Sequence, residues 1–186
     1  MKTCAFFGHG KEDYSPYIEE LEEIIVNFIE NEGVTQFYSG GRGKFDVICA
    51  EIVGNLRAKY PQIKNTLVLS YRPSDKQNFT LHERYDDSVY LLEKAVPPKF
   101  AIFKTNEAMV DKTDFIVVAV RYDWGGAQNA YCYAKRKKKQ IINLFDLTGE
   151  EEALERQFHA LIEKQNPEEK MRLWEKLWKK MQDQKK

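Results

Sequence analysis

The chain has 186 residues, of which 42% are hydrophobic and 31% are charged; this excludes a disordered protein and is enough for one domain with a sizeable core. Lysine plus arginine number 29 and aspartate plus glutamate also number 29, so no strong overall field attracts nucleic acid or an acidic membrane, and neither is an expected partner. Apolar runs stay below the roughly 18 residues of a membrane span and the first residues turn polar too soon for a signal peptide, so we expect a cytoplasmic protein.

The cysteines indicate buried, reduced thiols. Cys4, Cys49 and Cys132 are odd in number, widely spaced and never paired as C-x-x-C, a pattern that fits neither a disulfide framework nor a zinc site. Their apolar neighbours would raise the thiol pKa values, which argues against a catalytic cysteine. The sequence therefore predicts no metal site.

In the first half of the chain, apolar runs of strand length alternate with segments of helical period. The first helix carries Ile18, Leu21 and Ile25 on one face, and Gly33 follows its end. The unbroken run Leu67-Val68-Leu69 is typical of a strand that is buried on both faces. The predicted strands lie over 3–7, 35–38 and 66–70, and the predicted helices lie over 17–31 and 45–60.

The second half begins with a polar, proline-containing stretch over 71–84, which is too long for a simple connector and is typical of a lid. Pro97-Pro98 and a short apolar run precede a brief helix predicted over 106–112. Farther along the chain, the predicted strands lie over 115–120 and 140–144, on either side of a helix predicted over 127–136.

Two further helices are predicted over 149–164 and after Pro167. We expect residues 1–147 to form one domain and the helices of residues 148–186 to pack on that same domain. Trp174 and Trp178 share one face of the last helix, so a scaffold function through this helix is an alternative to ordinary packing. A homo-oligomer is the expected assembly.

The alternation of strands and helices predicts an α/β protein with a Rossmann-like three-layer fold, that is, a mainly parallel sheet with helices on both faces. In such a sheet the ligand crevice lies beyond the carboxyl ends of the strands. Glycine-rich loops follow three of the predicted strands, and they supply the candidate binding residues. These are Gly8, His9, Ser39, Gly40, Gly41, Arg42, Gly43, Asp46, Asp123, Trp124, Gly125 and Gly126.

The loop from Ser39 to Lys44 has the chemistry of a phosphate site. Its glycines permit positive φ and close backbone approach, and the helix that follows directs N–H groups and its positive dipole end at the same point. Arg42 and Lys44 add two cations for charge-assisted hydrogen bonds. The loop is neither a complete G-x-G-x-x-G nor a Walker loop, so a tight turn without a ligand is the alternative.

Four other features have two interpretations each. His9 is either a hydrogen-bonded structural residue or a ligand contact, and Asp46 either favours the first turn of its helix or receives a ribose hydroxyl or a base. Trp124 either plugs the sheet edge or stacks on a base, and we favour the base. The basic run 135–139 looks like a nucleic-acid patch, but cations at a helix C-terminus also complement the helix dipole, which we favour.

Several blocks in chain order resemble the SLOG superfamily, which includes the SMF, DprA and LOG proteins, and especially its small bacterial YpsA-like branch. The blocks are Gly8-His9, 37–46, 93–103, Asn106, 109–111, Asp114, 123–127, 133–135 and 141–144. The resemblance is nearly end to end. It implies a Rossmann-like fold that binds nucleotides or nucleotide-derived signals, often as a sensor.

LOG-type members of this superfamily are phosphoribohydrolases, and the resemblance implies that this chain lacks two of their residues. Thr105 stands where their arginine is expected, and no glutamate occurs over 127–149, where theirs follows the glycine pair. Phosphate binding depends mostly on backbone geometry and does not need these side chains. The alternative is a nucleotide hydrolase that uses a carboxylate such as Glu83, Asp46 or Asp123.

A sensor-like protein that binds a nucleotide-derived small molecule is therefore the function we expect. Its predicted partners are this ligand and further copies of the chain. No resident cofactor, membrane or nucleic acid is among them.

Overall fold

A parallel sheet of six strands forms the centre of the computed structural model, which describes residues 1–72, 80–94 and 96–147. The strands are β1 (Lys2–Gly8), β2 (Val34–Ser39), β3 (Lys64–Val68), β4 (Asp87–Val89), β5 (Phe115–Ala119) and β6 (Gln140–Asn143). The helices are α1 (Ile18–Glu30), α2 (Lys44–Leu56), α3 (Pro98–Lys112), α4 (Gly125–Arg136) and the short α5 (Leu144–Leu147).

The strand order across the sheet is β4-β3-β2-β1-β5-β6, and every neighbouring pair is parallel. β1 lies inside the sheet, where Ala5 pairs with Tyr38 of β2 on one side and with Ile116 of β5 on the other. The chain builds outwards from β1 to β4 and then returns to the other side of β1. The carboxyl ends of β1 and β5 therefore flank the switch point at which open α/β sheets bind ligands.

Helices cover both faces of the sheet, and each face has its own hydrophobic core. Successive side chains of a strand point to opposite faces, so Phe6 lies in the core with α1 and α2, whereas Phe7 lies in the core with α3 and α4. α4 contributes the small side chains of Ala127, Ala130 and Ala134, which let it pack closely. The two helical layers with the sheet between them confirm the predicted Rossmann-like α/β fold.

Three elements differ most from the sequence prediction: α3, β4 and the short α5, which has no predicted counterpart. α3 begins at Pro98 rather than at residue 106, because proline is compatible with the first position of a helix. The preceding Pro97 has an extended ψ of 137° and serves as the N-cap. β4 has no counterpart in the prediction; it has three residues, none of them buried, and so carries no apolar pattern.

The predicted burial of the cysteines is correct for Cys4 and Cys49 and wrong for Cys132. Cys4 and Cys49 have no exposed surface, and burial raises the pKa of both thiols above the ordinary value of 9.0. Cys132 is exposed, because α4 faces the sheet with Ala130 and Ala134 and position 132 falls outside that stripe.

Lysines of the basic run 135–139 contact the end of α3. Lys137 forms an ion pair with Asp111 at 2.9 Å. The Lys139 ammonium donates a hydrogen bond to the Thr113 carbonyl at 2.6 Å. These contacts join the C-terminal ends of two helices on the same face of the sheet, so both lysines have a structural role.

Met1–Leu147 forms one compact unit. The helices predicted over 149–164 and after Pro167 lie outside the described residues, and so does the face carrying Trp174 and Trp178. Self-association through that face stays a prediction. Within the described part of the chain, no helix combines the length and the apolar character needed to cross a membrane.

Candidate functional site

The loops that follow β1, β2, β3 and β5 surround an open cleft at the carboxyl edge of the sheet. Its volume is about 250 Å³. The start of α2 lies on one side, and α3 and the start of α4 lie on the other. The lining residues are Phe6, Phe7, Gly8, His9, Gly10, Gly40, Arg42, Gly43, Asp46, Ser70, Ile102, Asn106, Trp124, Gly125, Gly126 and Ala127.

Glycines let the loops after β1 and β2 meet backbone to backbone. A Cβ atom added at Gly43 would stand 2.9 Å from the Gly10 Cα. Across the same contact, the Lys44 N–H donates to the Gly10 carbonyl at 3.3 Å. Gly8 is constrained as well, because a Cβ there would lie 2.4 Å from the Cβ and Cγ atoms of Phe45. The requirement for glycine is steric at these positions, and the two loops form one continuous edge of the cleft.

The loop over 40–43 turns into α2 around Asp46. Gly41 has a φ of +64°, a left-handed conformation that favours glycine. The Asp46 carboxylate, in the first turn of α2, accepts a hydrogen bond from the Arg42 N–H at 3.2 Å. A carboxylate at this position satisfies loop N–H groups and complements the positive end of the helix dipole. Asp46 therefore has a structural role, and it also lines the cleft.

The environment of Asp46 changes its acidity. Burial raises the pKa of its carboxyl from the ordinary value of 3.8 to about 6. Hydrogen bonds from the Arg42 and Gly43 N–H groups and the charge of Arg42 lower the pKa and so offset only part of this effect. The Asp46 carboxyl therefore titrates near pH 6. When it is ionised, it places a negative charge near the guanidinium of Arg42.

His9 connects the β1 loop to the loop after β5. Its Nε2 accepts hydrogen bonds from the N–H groups of Arg121 and Tyr122, each at 3.3 Å, so the neutral ring carries its proton on Nδ1. Burial lowers the pKa of His9 below the ordinary value of 6.5; the charge of Glu12 opposes this shift and the charge of Arg121 adds to it. These contacts fit the structural interpretation of His9. The same residue also lines the cleft.

Three rings form an aromatic cluster beside the cleft. The ring centroids of Tyr122 and Trp124 lie 5.6 Å apart with an interplanar angle of 21°. His9 lies 5.0 Å from Tyr122 and 6.0 Å from Trp124. Trp124 is still 53% exposed. Its indole therefore offers a free aromatic surface next to polar groups, which is the geometry that base stacking needs.

The wall formed by α3 contributes residues that the sequence did not indicate. Ile102 and Asn106 line the cleft from α3, and Ser70 lines it just after β3. Asn106 approaches α4, since a Cβ added at Gly126 would lie 3.8 Å from its Nδ2. For Ser70 the available signal is its position at a strand end. For Ile102 the signal was hidden, because Pro97-Pro98 obscured the start of the helix. Asn106 lies in the predicted helix and among the blocks that resemble the SLOG superfamily, and that was the available signal.

Some predicted residues lie outside the lining of the cleft. Ser39, Gly41 and Asp123 do not line it. Ser39 has no exposed surface, and its hydroxyl donates to the Tyr85 hydroxyl at 3.3 Å. Lys44, predicted as a second cation for phosphate, is exposed and is not part of the lining either. Arg42 is the cation that the structure brings to the cleft.

The arrangement is suited to binding anions. Backbone N–H groups at the first turns of α2 and α4 border the cleft, and Arg42 adds a positive charge. Within residues 1–72, 80–94 and 96–147, His, Cys, Asp and Glu side chains form no group of three that could hold a metal ion.

Solved structures with a similar fold include DNA processing protein A from two bacteria. For the Streptococcus pneumoniae protein, the TM-score is 0.54 at 16% identity, over 76% of this chain and 49% of that one. For the Helicobacter pylori protein, the TM-score is 0.50 at 15% identity, over 75% of this chain and 63% of that one. This chain thus spans less than two thirds of either neighbour, and at such identity the likeness concerns the fold. No curated protein matches the sequence.

A family model covers most of the chain. It is the YpsA model, described as the YspA SLOG family, and it matches residues 3–148. The matched span contains every loop that lines the cleft and confirms the resemblance to the SLOG superfamily. On this match, and with the Rossmann-like sheet beneath it, the chain belongs to the YspA SLOG family.

Proposed function

We propose that the protein binds a nucleotide or nucleotide-derived ligand in the cleft and acts as a sensor of that ligand. One observation carries the proposal: glycine-rich turns, the starts of α2 and α4, and Arg42 all border the same cleft. Each turn alone is an ordinary strand-to-helix connection. Together they place the positive ends of two helix dipoles and a cation around one concave surface, which is what a phosphate requires.

The phosphate is assigned to the edge formed by Gly40, Arg42 and Gly43. The Arg42 and Gly43 N–H groups donate to the Asp46 carboxylate and the Lys44 N–H donates to the Gly10 carbonyl, so the attraction for a phosphate comes from the positive end of the α2 dipole and from the Arg42 guanidinium. The Arg42 guanidinium lies over the Tyr71 ring, 5.3 Å from its centroid, which holds the cation near the loop. Because the loop positions both the helix end and Arg42 at the cleft, phosphate binding depends on the loop geometry.

The nucleoside is assigned to the opposite wall. Trp124 offers an exposed ring for stacking, and Asn106 offers an amide that both donates and accepts hydrogen bonds. Ile102 adds an apolar contact from the same helix. His9, after β1, and Asp46, in the first turn of α2, are the expected contacts for the sugar or the base.

Binding without cleavage is favoured by Thr105. This residue occupies the position where LOG-type phosphoribohydrolases are expected to carry an arginine. Thr105 is only 1% exposed and does not line the cleft. A sensor needs no such arginine, whereas N-glycosidic hydrolysis in that family is expected to use it.

A hydrolase is the second candidate, and the observation that favours it is Asp46. Its carboxyl lines the cleft and has a pKa of about 6, close to the value that suits a general base at neutral pH. Glu83 and Asp123, the other carboxylates considered, do not line the cleft. Incubation with AMP, GMP, CMP and UMP followed by chromatography separates the candidates: a sensor leaves them intact, whereas an enzyme releases base or phosphate and loses this activity in Asp46→Asn.

A single strand of nucleic acid also contains nucleotide units. The DNA processing protein A of Helicobacter pylori binds single-stranded DNA, which makes the exclusion of nucleic acid from the partners of this chain doubtful. The likeness to that protein is one of fold, at 15% identity. A small nucleotide stays the proposed ligand, and a single strand belongs in the binding experiments.

Arg42→Ala tests the site, with Lys44→Ala as the matched control. Both cations are exposed on the same loop, but Arg42 lines the cleft and Lys44 does not. A thermal-shift screen of AMP, GMP, CMP and UMP first identifies the preferred mononucleotide. We then expect Arg42→Ala to weaken its binding by about tenfold or more, because a charge-assisted hydrogen bond contributes roughly 1.5–3 kcal/mol. Lys44→Ala should change the Kd by less than about twofold.

Isothermal titration calorimetry of the full chain measures both variants. If none of the four mononucleotides, none of their 5′-phosphorylated dinucleotides and no single strand binds, the proposed function is contradicted. An equal loss in Arg42→Ala and Lys44→Ala would move the phosphate away from the cleft.

A further inference from the structure

A second cavity lies beside the cleft, beyond the carboxyl ends of β3 and β4 and next to the start of α3. Its volume is about 490 Å³, which exceeds the roughly 250 Å³ of the cleft. Its walls include Tyr71, Arg72, Tyr90, Lys94 and Ala101. None of these five residues is assigned a ligand contact by the proposed function, which therefore leaves the second cavity without a ligand.

The second cavity combines aromatic rings with cations. The Arg72 guanidinium lies 5.0 Å from the centroid of the Tyr90 ring. The Tyr71 ring is fixed by its hydroxyl, which donates a hydrogen bond to the Pro98 carbonyl at 3.1 Å. Lys94 adds a second positive charge, and among the described residues that line the cavity none is acidic. Tyrosine rings and guanidinium planes are surfaces on which nucleobases stack, and cations attract the attached phosphate.

The two cavities adjoin at Ser70 and Arg42. Ser70 lines both of them. Arg42 lines the cleft, and its guanidinium lies 5.3 Å from the ring centroid of Tyr71, which lines the second cavity. A hydroxyl and a guanidinium at this junction are suitable partners for an anionic group that links two larger parts of one ligand. A mononucleotide in the cleft would leave the second cavity without a ligand.

We propose that the second cavity is a subsite for a second nucleoside, so that the ligand of this protein contains two nucleoside units joined through phosphate. The inference rests on the proposed function, because the first unit occupies the cleft. The linking phosphate lies at the junction of Ser70 and Arg42. The second base stacks against the Arg72 and Tyr90 pair, and Lys94 compensates the additional negative charge. A free dinucleotide and a segment of a single strand share this chemistry.

Isothermal titration calorimetry on the full chain compares AMP, GMP, CMP and UMP with the dinucleotides pApA, pGpG, pCpC and pUpU. We expect the dinucleotide of the preferred base to bind about tenfold more tightly than its mononucleotide, which is the size of effect that stacking one more base produces. A single-stranded DNA of about twelve nucleotides forms the third arm. Tighter binding of the strand than of the dinucleotide identifies nucleic acid as the source of the ligand, and the reverse identifies a free dinucleotide.

The variant Arg72→Ala combined with Lys94→Ala should abolish the gain for the dinucleotide and leave mononucleotide binding within about twofold of wild type. Both side chains are exposed, so the fold should tolerate their removal. Lys99→Ala combined with Lys104→Ala is the control, since it removes the same charge from exposed positions of α3 that line neither cavity.

The outcomes separate the two proposals. Mononucleotide binding without any gain for the dinucleotide overturns the second subsite and leaves the proposed function standing. A gain that survives in the Arg72→Ala, Lys94→Ala variant overturns the subsite as well. If no mononucleotide, dinucleotide or single strand binds, both proposals fail together.

Discussion

Replacing Asp46 by asparagine should raise the free energy of unfolding at neutral pH. Burial raises the pKa of this carboxyl from 3.8 to about 6, so the native protein holds the proton more tightly than the unfolded chain does. As the pH rises from 3.8 to about 6, the unfolded chain loses its proton first, and stability falls. A shift of about two pKa units corresponds to roughly 3 kcal/mol, which is the upper bound of the penalty above that window. Asparagine removes the charge and keeps one acceptor oxygen for the Arg42 and Gly43 N–H groups.

Urea denaturation at pH values from about 4 to about 7 measures this effect. We expect the free energies of unfolding of wild type and Asp46→Asn to approach each other at the acid end and to differ by about 1 to 3 kcal/mol at the neutral end. Asp123→Asn is the matched control, because Asp123 is exposed and does not line the cleft; its profile should follow wild type. Parallel profiles for wild type and Asp46→Asn would refute the reasoning, since the buried charge would then cost no stability.

Two further pairs of substitutions test packing and hydrogen bonding. Gly8→Ala should lower the free energy of unfolding by about 3 kcal/mol, because the new Cβ would lie 2.4 Å from core atoms. In Gly10→Ala the new Cβ would have no neighbour nearer than 3.7 Å. The free energy of unfolding of this variant should therefore change by less than about 1 kcal/mol. Equal urea midpoints for these two variants would mean that the β1 loop adjusts freely. Thr105→Val should raise Tm by about 2–4 °C, because the buried hydroxyl of Thr105 has no hydrogen-bond partner. Thr113→Val should lower Tm by a similar amount, since its hydroxyl donates to a backbone carbonyl at 2.8 Å; scanning calorimetry in which both variants shift Tm in the same direction would contradict this assignment.

The glycine loops and every strand except β4 could be predicted, because each of these strands contains an apolar run with a clear end. All five residues of β5, Phe115–Ala119, are buried, and a run of this kind has few other interpretations. Glycines directly after such a run have to lie at the carboxyl edge of a parallel sheet. From the sequence alone, this rule places Gly8, Gly40 and the Trp124-Gly125 turn at the edge. All of these residues line the cleft.

Side-chain direction at the edge could not be predicted. Arg42 and Lys44 look equivalent in the sequence, but the left-handed Gly41 and the contact of Lys44 with Gly10 give the two cations different surroundings. Ser39 looks like a loop hydroxyl, yet it is the last residue of β2 and pairs with Tyr85 from a distant part of the chain. Such contacts depend on tertiary packing, which a local pattern does not encode.

The backbone contact between Gly10 and Gly43 divides the cleft into an edge that cannot accept side chains and a wall that can. Any side chain at Gly43 would push the two loops apart. The shape of this edge is therefore compatible with few substitutions. Ile102 and Asn106 lie on a different helix and touch the cleft from the other wall. Substitutions at Ile102 and Asn106 can therefore change the contacts of the cleft without disturbing the loops, which gives protein engineers a wall to redesign.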